Sequence, residues 1–537
     1  MLRAGAGETP LGRTGGLPRR RGTEALKVLF VYPDYKVNVD PQSGRMLGVE
    51  EGGWYMEGVA SLSAVLKEAG HQVSLYHLTS PVPRRDFQAT LRRESPDLVG
   101  FVTMTREYPQ VKEYVLWTKD ALDVPVICGS YHPTTLPEEV IGTEGVDMIC
   151  RGEGEEAMLE LVELMDSGED YRQVRSIWVK EGDTIHRNPV RPLIEDIDTL
   201  PLPDFAVFDF RRLISTRINT GVVILSRGCP YSCTYCSNKR MRDIYPNRNR
   251  YSRFHSPEYS IDYLKKLIST YPGIKYLNFR DDILPWKGGW LERFTTLYRR
   301  EIGLPFICNY RANLVTPEVV RMLREAGCYQ MFFGVESGND FIRNQVLNRH
   351  MSREKIVKAF EACREAGIKT VAYNMVGLPY EDKSKVLDTI KLNAEIKADH
   401  SLSPVYYPYP DTPLFEVAVR EGWVPPSYDY REDRYVDQPT LPREQLLFAR
   451  YYFRPFVRAY RALEAVPEPL AGALEKGLDR VFLSPRLPHM FLVRMARAWE
   501  ASREGIKGML SRRAPRLYLW IRDRVRGVRS AEGKGRT

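Results

Sequence analysis

The sequence predicts an α/β protein with three parts in order: a Rossmann-like domain, a partial TIM-like (βα)6 barrel and a helical carboxyl-terminal region. Two observations lead there. Short apolar β-rich runs alternate with amphipathic helical stretches over residues 25–166, and the alternation starts again near 220 and runs to about 410. That is the pattern of parallel strands joined by helices. Beyond about 415 the strand signal fades into helical stretches broken by prolines from Pro425 to Pro488. A chain of 537 residues is also too long for one ordinary domain.

In the first part, 25–166, the strand candidates are Val28–Tyr32, Gln72–Tyr76, Leu98–Thr103, Val124–Cys128 and Met148–Arg151, with helical patterns such as Gly58–Ala69 and Val111–Ala121 between them. Ligands on parallel sheets sit at the carboxyl ends of the strands. The loops there are polar and glycine-rich: Thr103-Met104-Thr105, Gly129-Ser130-Tyr131-His132-Pro133 and Arg151-Gly152-Glu153-Gly154-Glu155. Residues 167–215 read as a linker with a small hairpin around Gly182-Asp183. The barrel, 216–420, has candidates Gly221–Ser226, Tyr276–Phe279, Phe306–Tyr310, Gln330–Gly334, Thr370–Met375 and Ser403–Tyr407. Such barrels place chemistry on the loops after the strands. Residues 421–537 form the helical region, and 1–24 read as a disordered basic arm.

The formal net charge of +9 is unevenly placed. Residues 491–537 hold 13 Lys+Arg against 4 Asp+Glu, and residues 1–24 hold 5 against 2, which leaves the body at −3. A slightly acidic body argues against a nucleic-acid groove and gives the basic tail a surface or partner of its own. No apolar run reaches the roughly 18 residues of a spanning helix, and the first residues lack the apolar core of a signal peptide. Eight cysteines, three bunched and five scattered, make no disulfide framework. The expected location is a reducing cytoplasm, with peripheral contact at the inner membrane face if the tail binds lipid.

The first barrel strand runs directly into Arg227-Gly228-Cys229-Pro230-Tyr231-Ser232-Cys233-Thr234-Tyr235-Cys236, a C-x3-C-x2-C spacing. Three thiolates this close can hold three corners of one iron–sulfur cluster. The fourth iron then lacks a local protein ligand, and an open position marks catalytic rather than structural metal centres. A zinc site would need a fourth ligand, and the nearest histidine, His255, lies nineteen residues on. A non-catalytic metal-binding interaction protein is the reading of another class.

This motif resembles the signature of the radical S-adenosylmethionine (SAM) superfamily. The resemblance implies that Cys229, Cys233 and Cys236 are the catalytic residues and ligate a 4Fe-4S cluster. It implies that SAM chelates the open iron and is cleaved to a 5′-deoxyadenosyl radical, which takes hydrogen from an unreactive carbon. It also implies an electron donor such as flavodoxin or ferredoxin. Tyr235 matches the aromatic position near the adenine. Further matches to SAM-contacting elements follow the later strands: Asp281 and Asp282, then Arg311, then Glu336 and Ser337, then Gly377 in Gly377-Leu378-Pro379. In Tyr407-Pro408-Tyr409-Pro410-Asp411-Thr412-Pro413, Asp411 stands where glycine is usual.

A Rossmann-like domain ahead of the barrel resembles the cobalamin-binding subclass, which includes the class B methylases. The stretches PDLVGFVTMT, VPVICGSYHPT and MICRGEGEEAMLEL match it. The resemblance implies cobalamin contacts from Thr103, Thr105, Gly129, Ser130, His132 and Glu153. Two departures stand out. The loop YPDYKVNVDPQSGRM lacks the histidine of Asp-x-His-x-x-Gly, so that cobalamin, if bound, would lack a loop histidine on the lower face of the cobalt, and Ser130 stands where a second glycine is common. With cobalamin, the implied reaction is methyl transfer to an unactivated carbon of a small or lipid-type metabolite. Without it, the same radical would serve C–C bond formation, rearrangement or desaturation.

In the tail, Leu492, Met495, Trp499, Ile506 and Met509 recur at near-helical spacing, and a second run after Pro515 holds Leu517, Trp520, Ile521 and Val525, with arginines beside both. Two readings stay open: a lid over the barrel, or a basic amphipathic surface for a membrane.

Overall fold

Two sheets organise the chain in the computed structural model, which describes residues 25–40 and 45–514. The arm 1–24 and the second apolar run of the tail lie outside the described residues. The first half contains β1 (Lys27–Pro33), β2 (Lys36–Val39), β3 (Met46–Glu50), β4 (Gln72–Leu78), β5 (Leu98–Val102), β6 (Val126–Gly129), β7 (Met148–Cys150), β8 (Ile177–Glu181) and β9 (Thr184–Arg187). All but β2 and β3 join one sheet in the order β4-β1-β5-β6-β7-β8-β9. The first five of these strands are parallel; β8 and β9 form the expected hairpin and extend the sheet as an antiparallel edge.

The period-2 alternation of a strand decides which helix meets which side chain. Val28 and Phe30 pack with Val59, Ala60, Met158 and Leu161 of the helices Glu57–Glu68 and Glu155–Ser167. Leu29 and Val31 pack on the other face with Phe87, Leu91, Val111 and Val115 of the helices Arg84–Glu94 and Tyr108–Ala121. The β2–β3 hairpin was not legible, because β3 is exposed along its whole length and shows no in–out pattern.

The second half contains β10 (Thr220–Val223), β11 (Ser226–Arg227), β12 (Arg253–Phe254), β13 (Tyr276–Phe279), β14 (Phe306–Tyr310), β15 (Cys328–Glu336), β16 (Lys369–Asn374) and β17 (His400–Leu402). Six of them make a parallel sheet in the order β10-β13-β14-β15-β16-β17, with β10 and β17 unpaired to each other, so the barrel is open. The first expected strand is split. Asp281 takes the Leu225 N–H (2.8 Å) and the Ser226 hydroxyl (2.5 Å), and β11 then turns away to pair antiparallel with β12. The sixth strand comes earlier than expected; Pro404 has no N–H for the ladder, and beyond it only a bridge from Val405 to Val376 remains.

The carboxyl-terminal helices cover the flank of the barrel. Leu446, Ala449, Phe453 and Val457 of the helix Arg443–Ala462 pack with Val386 and Ile390 of the barrel helix Lys383–Glu395, and the helix His489–Arg513 packs on the outside of Arg443–Ala462. Among the described residues, none from these helices lines the cavity at the barrel mouth. No described helix is long and apolar enough to cross a membrane.

Candidate active site

The cysteine loop leaves β11 at Gly228, where φ is +76° and an added Cβ would stand 2.4 Å from the Tyr251 carbonyl oxygen. Only glycine fits there. Thr234 anchors the loop by donating its N–H to Leu347 O (3.2 Å) and its hydroxyl to Val346 O (2.6 Å). Cys229, Cys233 and Cys236 then line one cavity of about 480 Å³, together with Tyr235, Asp281, Asp282, Arg311 and Glu336 of the expected set. Burial pushes the Cys229 thiol up to about 12 and the Cys236 thiol up to about 11. Both therefore hold their protons at neutral pH until a metal replaces them, which thiolate ligation does.

Glu336 ends β15 at a register shift, with φ at +65°. Bulges and left-handed non-glycine residues cluster at functional sites. Its Oε1 accepts from the Tyr235 hydroxyl (3.1 Å) and from Arg349 (3.4 Å), and Arg349 also donates to the Tyr235 oxygen and to Gly334 O. Burial raises the Glu336 carboxyl, while the Arg349 charge and the Tyr235 hydrogen bond pull it back. Arg311 stacks 3.7 Å above the Tyr231 ring and donates to the Arg349 carbonyl. Asp281 has a buried Oδ2 with no partner, and burial lifts its carboxyl to about 7. Asp282 accepts from Asn238 (2.9 Å), which in turn accepts from the Tyr251 hydroxyl (3.0 Å).

Two expected SAM contacts are not in this cavity. The Ser337 hydroxyl accepts the Asn339 N–H (3.2 Å) and faces Thr389 (3.4 Å), so it closes a turn. Gly377, at φ +81°, donates its N–H to Glu381 (2.7 Å), and an added Cβ would stand 2.7 Å from Leu446. It is a turn and packing residue. Asp411 keeps the glycine-like backbone, at φ +64°, and its carboxylate pairs with Arg240 (2.7 Å) on the helix after the cysteine loop. Sequence reasoning missed Arg349 and Asn238. Asn238, two residues past Cys236, could have been found as a near neighbour; Arg349 carried no signal.

A second cavity of about 350 Å³ lies between the first sheet and the barrel. Gly100, Ile127, Gly129, Cys150 and Met158 line it from one side, and Arg227, Gly228, Tyr245 and Arg253 from the other. Of the expected cobalamin residues, Gly129, Ser130 and Glu153 line it, whereas Thr103, Thr105 and His132 do not. Thr103 turns its hydroxyl back to Phe101 O (3.2 Å), and Thr105 is buried elsewhere. His132 is fully buried between the rings of Tyr108 (4.3 Å) and Tyr430 (5.1 Å), and burial drops it to about 3, so it is a neutral core residue. Ser130 sits at φ +89°, the conformation a glycine would adopt without cost. Glu153 is held by Arg253 (2.5 Å) and Arg227 (3.2 Å), and Glu155 by Arg227 (2.6 Å) and Ser61 (2.7 Å). These pairs clamp the two halves together.

A family model described as the radical SAM superfamily matches residues 223–392, and one described as a B12 binding domain matches residues 47–162. The two matches together give the chain a B12-binding domain followed by a radical SAM domain. Relatives include an uncharacterized methyltransferase of Pyrococcus horikoshii, 26% identical over 67% of this chain and 78% of the relative. Another is the anaerobic magnesium-protoporphyrin IX monomethyl ester cyclase of Cereibacter sphaeroides, 27% identical over 78% of this chain and 67% of the relative. The structure of OxsB, a cobalamin-dependent SAM radical enzyme with aqua-cobalamin and SAM bound, aligns with a TM-score of 0.62 at 15% identity over 94% of this chain and 80% of that one, which shows a shared fold.

The two domain matches imply SAM with a 4Fe-4S cluster for the barrel and cobalamin for the first domain. The residues present fit them. One cavity offers three thiols, a buried carboxylate oxygen without a partner and a buried arginine; the other is an apolar slot under glycine-bearing strand ends. Among the described residues no three His, Cys, Asp or Glu side chains close on a single ion. Cluster ligands bind different irons and need not do so.

Proposed function

We propose that this protein transfers a methyl group to an unactivated carbon of a small or lipid-type metabolite, with Cys229, Cys233 and Cys236 holding the cluster. The observation that carries the reading is adjacency. Gly228 lines the interdomain cavity, and the next residue, Cys229, lines the cysteine cavity. When bound, cobalamin supplies a methyl carrier, and the cluster with SAM supplies a radical that abstracts hydrogen. The chain's own groups bind and orient. Glu336 and Arg349 form a compensated polar pair for SAM, Tyr235 is tied to both at the position expected near the adenine, and Asp282 is aimed by Asn238. Gly129, Ser130 and the apolar slot take the corrinoid. An electron donor such as flavodoxin or ferredoxin supplies the reducing equivalent.

The similarity to a named methyltransferase over 67% of the chain supports this reading, and the similarity to a named cyclase over 78% supports a second one, C–C bond formation. Anaerobic reconstitution with iron, sulfide and cobalamin, followed by assay under strong reductant, separates them. Methyl transfer predicts bound corrinoid with both S-adenosylhomocysteine and 5′-deoxyadenosine. Bond formation without methylation predicts 5′-deoxyadenosine alone. Neither product would reject both.

A further inference from the structure

We propose that the helix His489–Arg513 docks this protein on an anionic lipid surface. The helix is fixed on one side. Val493 is fully buried, the Tyr452 hydroxyl donates to Leu492 O (3.2 Å), Arg497 donates to the Tyr451 oxygen (3.2 Å), and Arg450 pairs with Glu500 (3.6 Å). These contacts hold it against the helix Arg443–Ala462 and leave another face outward. On that face Phe491 is 62% exposed, Met495 55%, Trp499 74%, Ile506 52% and Met509 49%. At 3.6 residues per turn these five fall within about 80° of arc, a single stripe along the helix. Scattered apolar residues on a surface need no explanation, but a contiguous aromatic and aliphatic stripe does.

Charge selects the occupant. The helix carries six Lys+Arg against two Asp+Glu, and Arg494 and Arg503 stand at helical positions on opposite sides of the stripe. Two copies meeting through this stripe would bring two strongly basic helices together. An anionic bilayer offers opposite charge to the arginines and an apolar layer to Phe491 and Trp499, the arrangement of helices that lie in a membrane interface. The preceding helix, Leu470–Leu483, also leaves Leu470, Leu474 and Val481 exposed on one face. Docking of this kind would bring an apolar substrate from the bilayer to the protein, but it stands independently of the reaction proposed above.

The test is flotation of the full-length protein with phosphatidylcholine vesicles, with and without about one-third phosphatidylglycerol, at low and high salt. Binding is expected on the anionic vesicles, at least about tenfold weaker on neutral ones, and weakened by salt. Trp499→Ser with Met495→Ser should cut binding about tenfold with an unchanged melting temperature, because both side chains are exposed. Arg494→Glu should cut it further at low salt than at high salt. Equal binding by these variants would overturn the proposal. So would absence of binding to the anionic vesicles, and a dimer in solution that Trp499→Ser dissociates would then assign the stripe to a second copy.

Discussion

The cysteine cavity and the interdomain cavity meet at the Gly228–Cys229 peptide but draw on different chemistry. The first collects charged side chains from the ends of β13, β14 and β15, and most are partnered inside: Glu336 lies against Arg349 and Tyr235, and Asp282 against Asn238, while Asp281 keeps one oxygen without a partner. The second is walled by glycines and apolar side chains; of its ionisable groups Glu153, Glu155, Arg227 and Arg253 are spent on one another across the domain boundary, and Glu57 accepts the Tyr263 hydroxyl. A compensated polar wall selects a charged molecule by exchange of hydrogen bonds, whereas an apolar slot selects by shape and excluded water. The contrast teaches that the two cofactor sites should fail separately except where Arg227 ties them.

The largest effect should come from Cys233→Ala, which removes a cluster ligand from one cavity and touches nothing in the other. Cluster absorption and 5′-deoxyadenosine should fall to background while corrinoid content stays at the wild-type level, as read by spectra and product assay on anaerobic protein. Next is Arg349→Met. It leaves Glu336 buried without its counter-charge, and breaking a buried pair costs on the order of 3–5 kcal/mol; urea denaturation should show the loss, and Arg349→Lys should restore part of it.

Arg227→Met should loosen the joint between the cavities by about 3 kcal/mol, with a pH signature. Burial opposes the Glu155 charge, but Arg227 and the hydrogen bonds from Arg227 and Ser61 outweigh it and hold the carboxyl at about 2, below its ordinary 4.5. A depressed carboxyl contributes stability that is complete above its unfolded value and lost as pH falls through the folded one. The gap between wild type and variant, from denaturation at several pH values, should therefore be full above about 4.5 and shrink toward 2.

Met158→Trp should overpack the apolar slot at a cost of about 1–3 kcal/mol and lower corrinoid retention, with cluster content unchanged. The smallest effect is expected from Ser130→Gly. It relieves a backbone position that side chains rarely adopt, and stability should rise by about 1 kcal/mol with corrinoid retention equal or better.

Both sheets were legible because buried parallel strands read as apolar runs between amphipathic helices. The site was legible where chemistry falls at a strand end, as with Asp281, Asp282, Arg311 and Glu336. It was not legible one residue further: Ser337 adjoins Glu336 but points into a turn, since successive side chains diverge. Gly377 follows a strand and yet serves packing against Leu446, a helix some seventy residues on that no local pattern announces. Arg349 reaches back to Glu336 across an irregular turn after the π-helical segment Ile342–Val346, so its role depends on tertiary placement alone. His132 has the same limit: the loop sequence favours a plain turn residue over a cofactor contact, and its burial between Tyr108 and Tyr430 depends on tertiary placement.

Anomalous diffraction at the iron and cobalt edges, from crystals of anaerobically loaded protein, tests the paired-cavity account most directly. The account predicts a four-iron cluster against Cys229, Cys233 and Cys236 and a cobalt centre at the Gly129–Gly152 side of the interdomain cavity in the same molecule. Zinc at the cysteines, or cobalt bound away from that cavity, would contradict it.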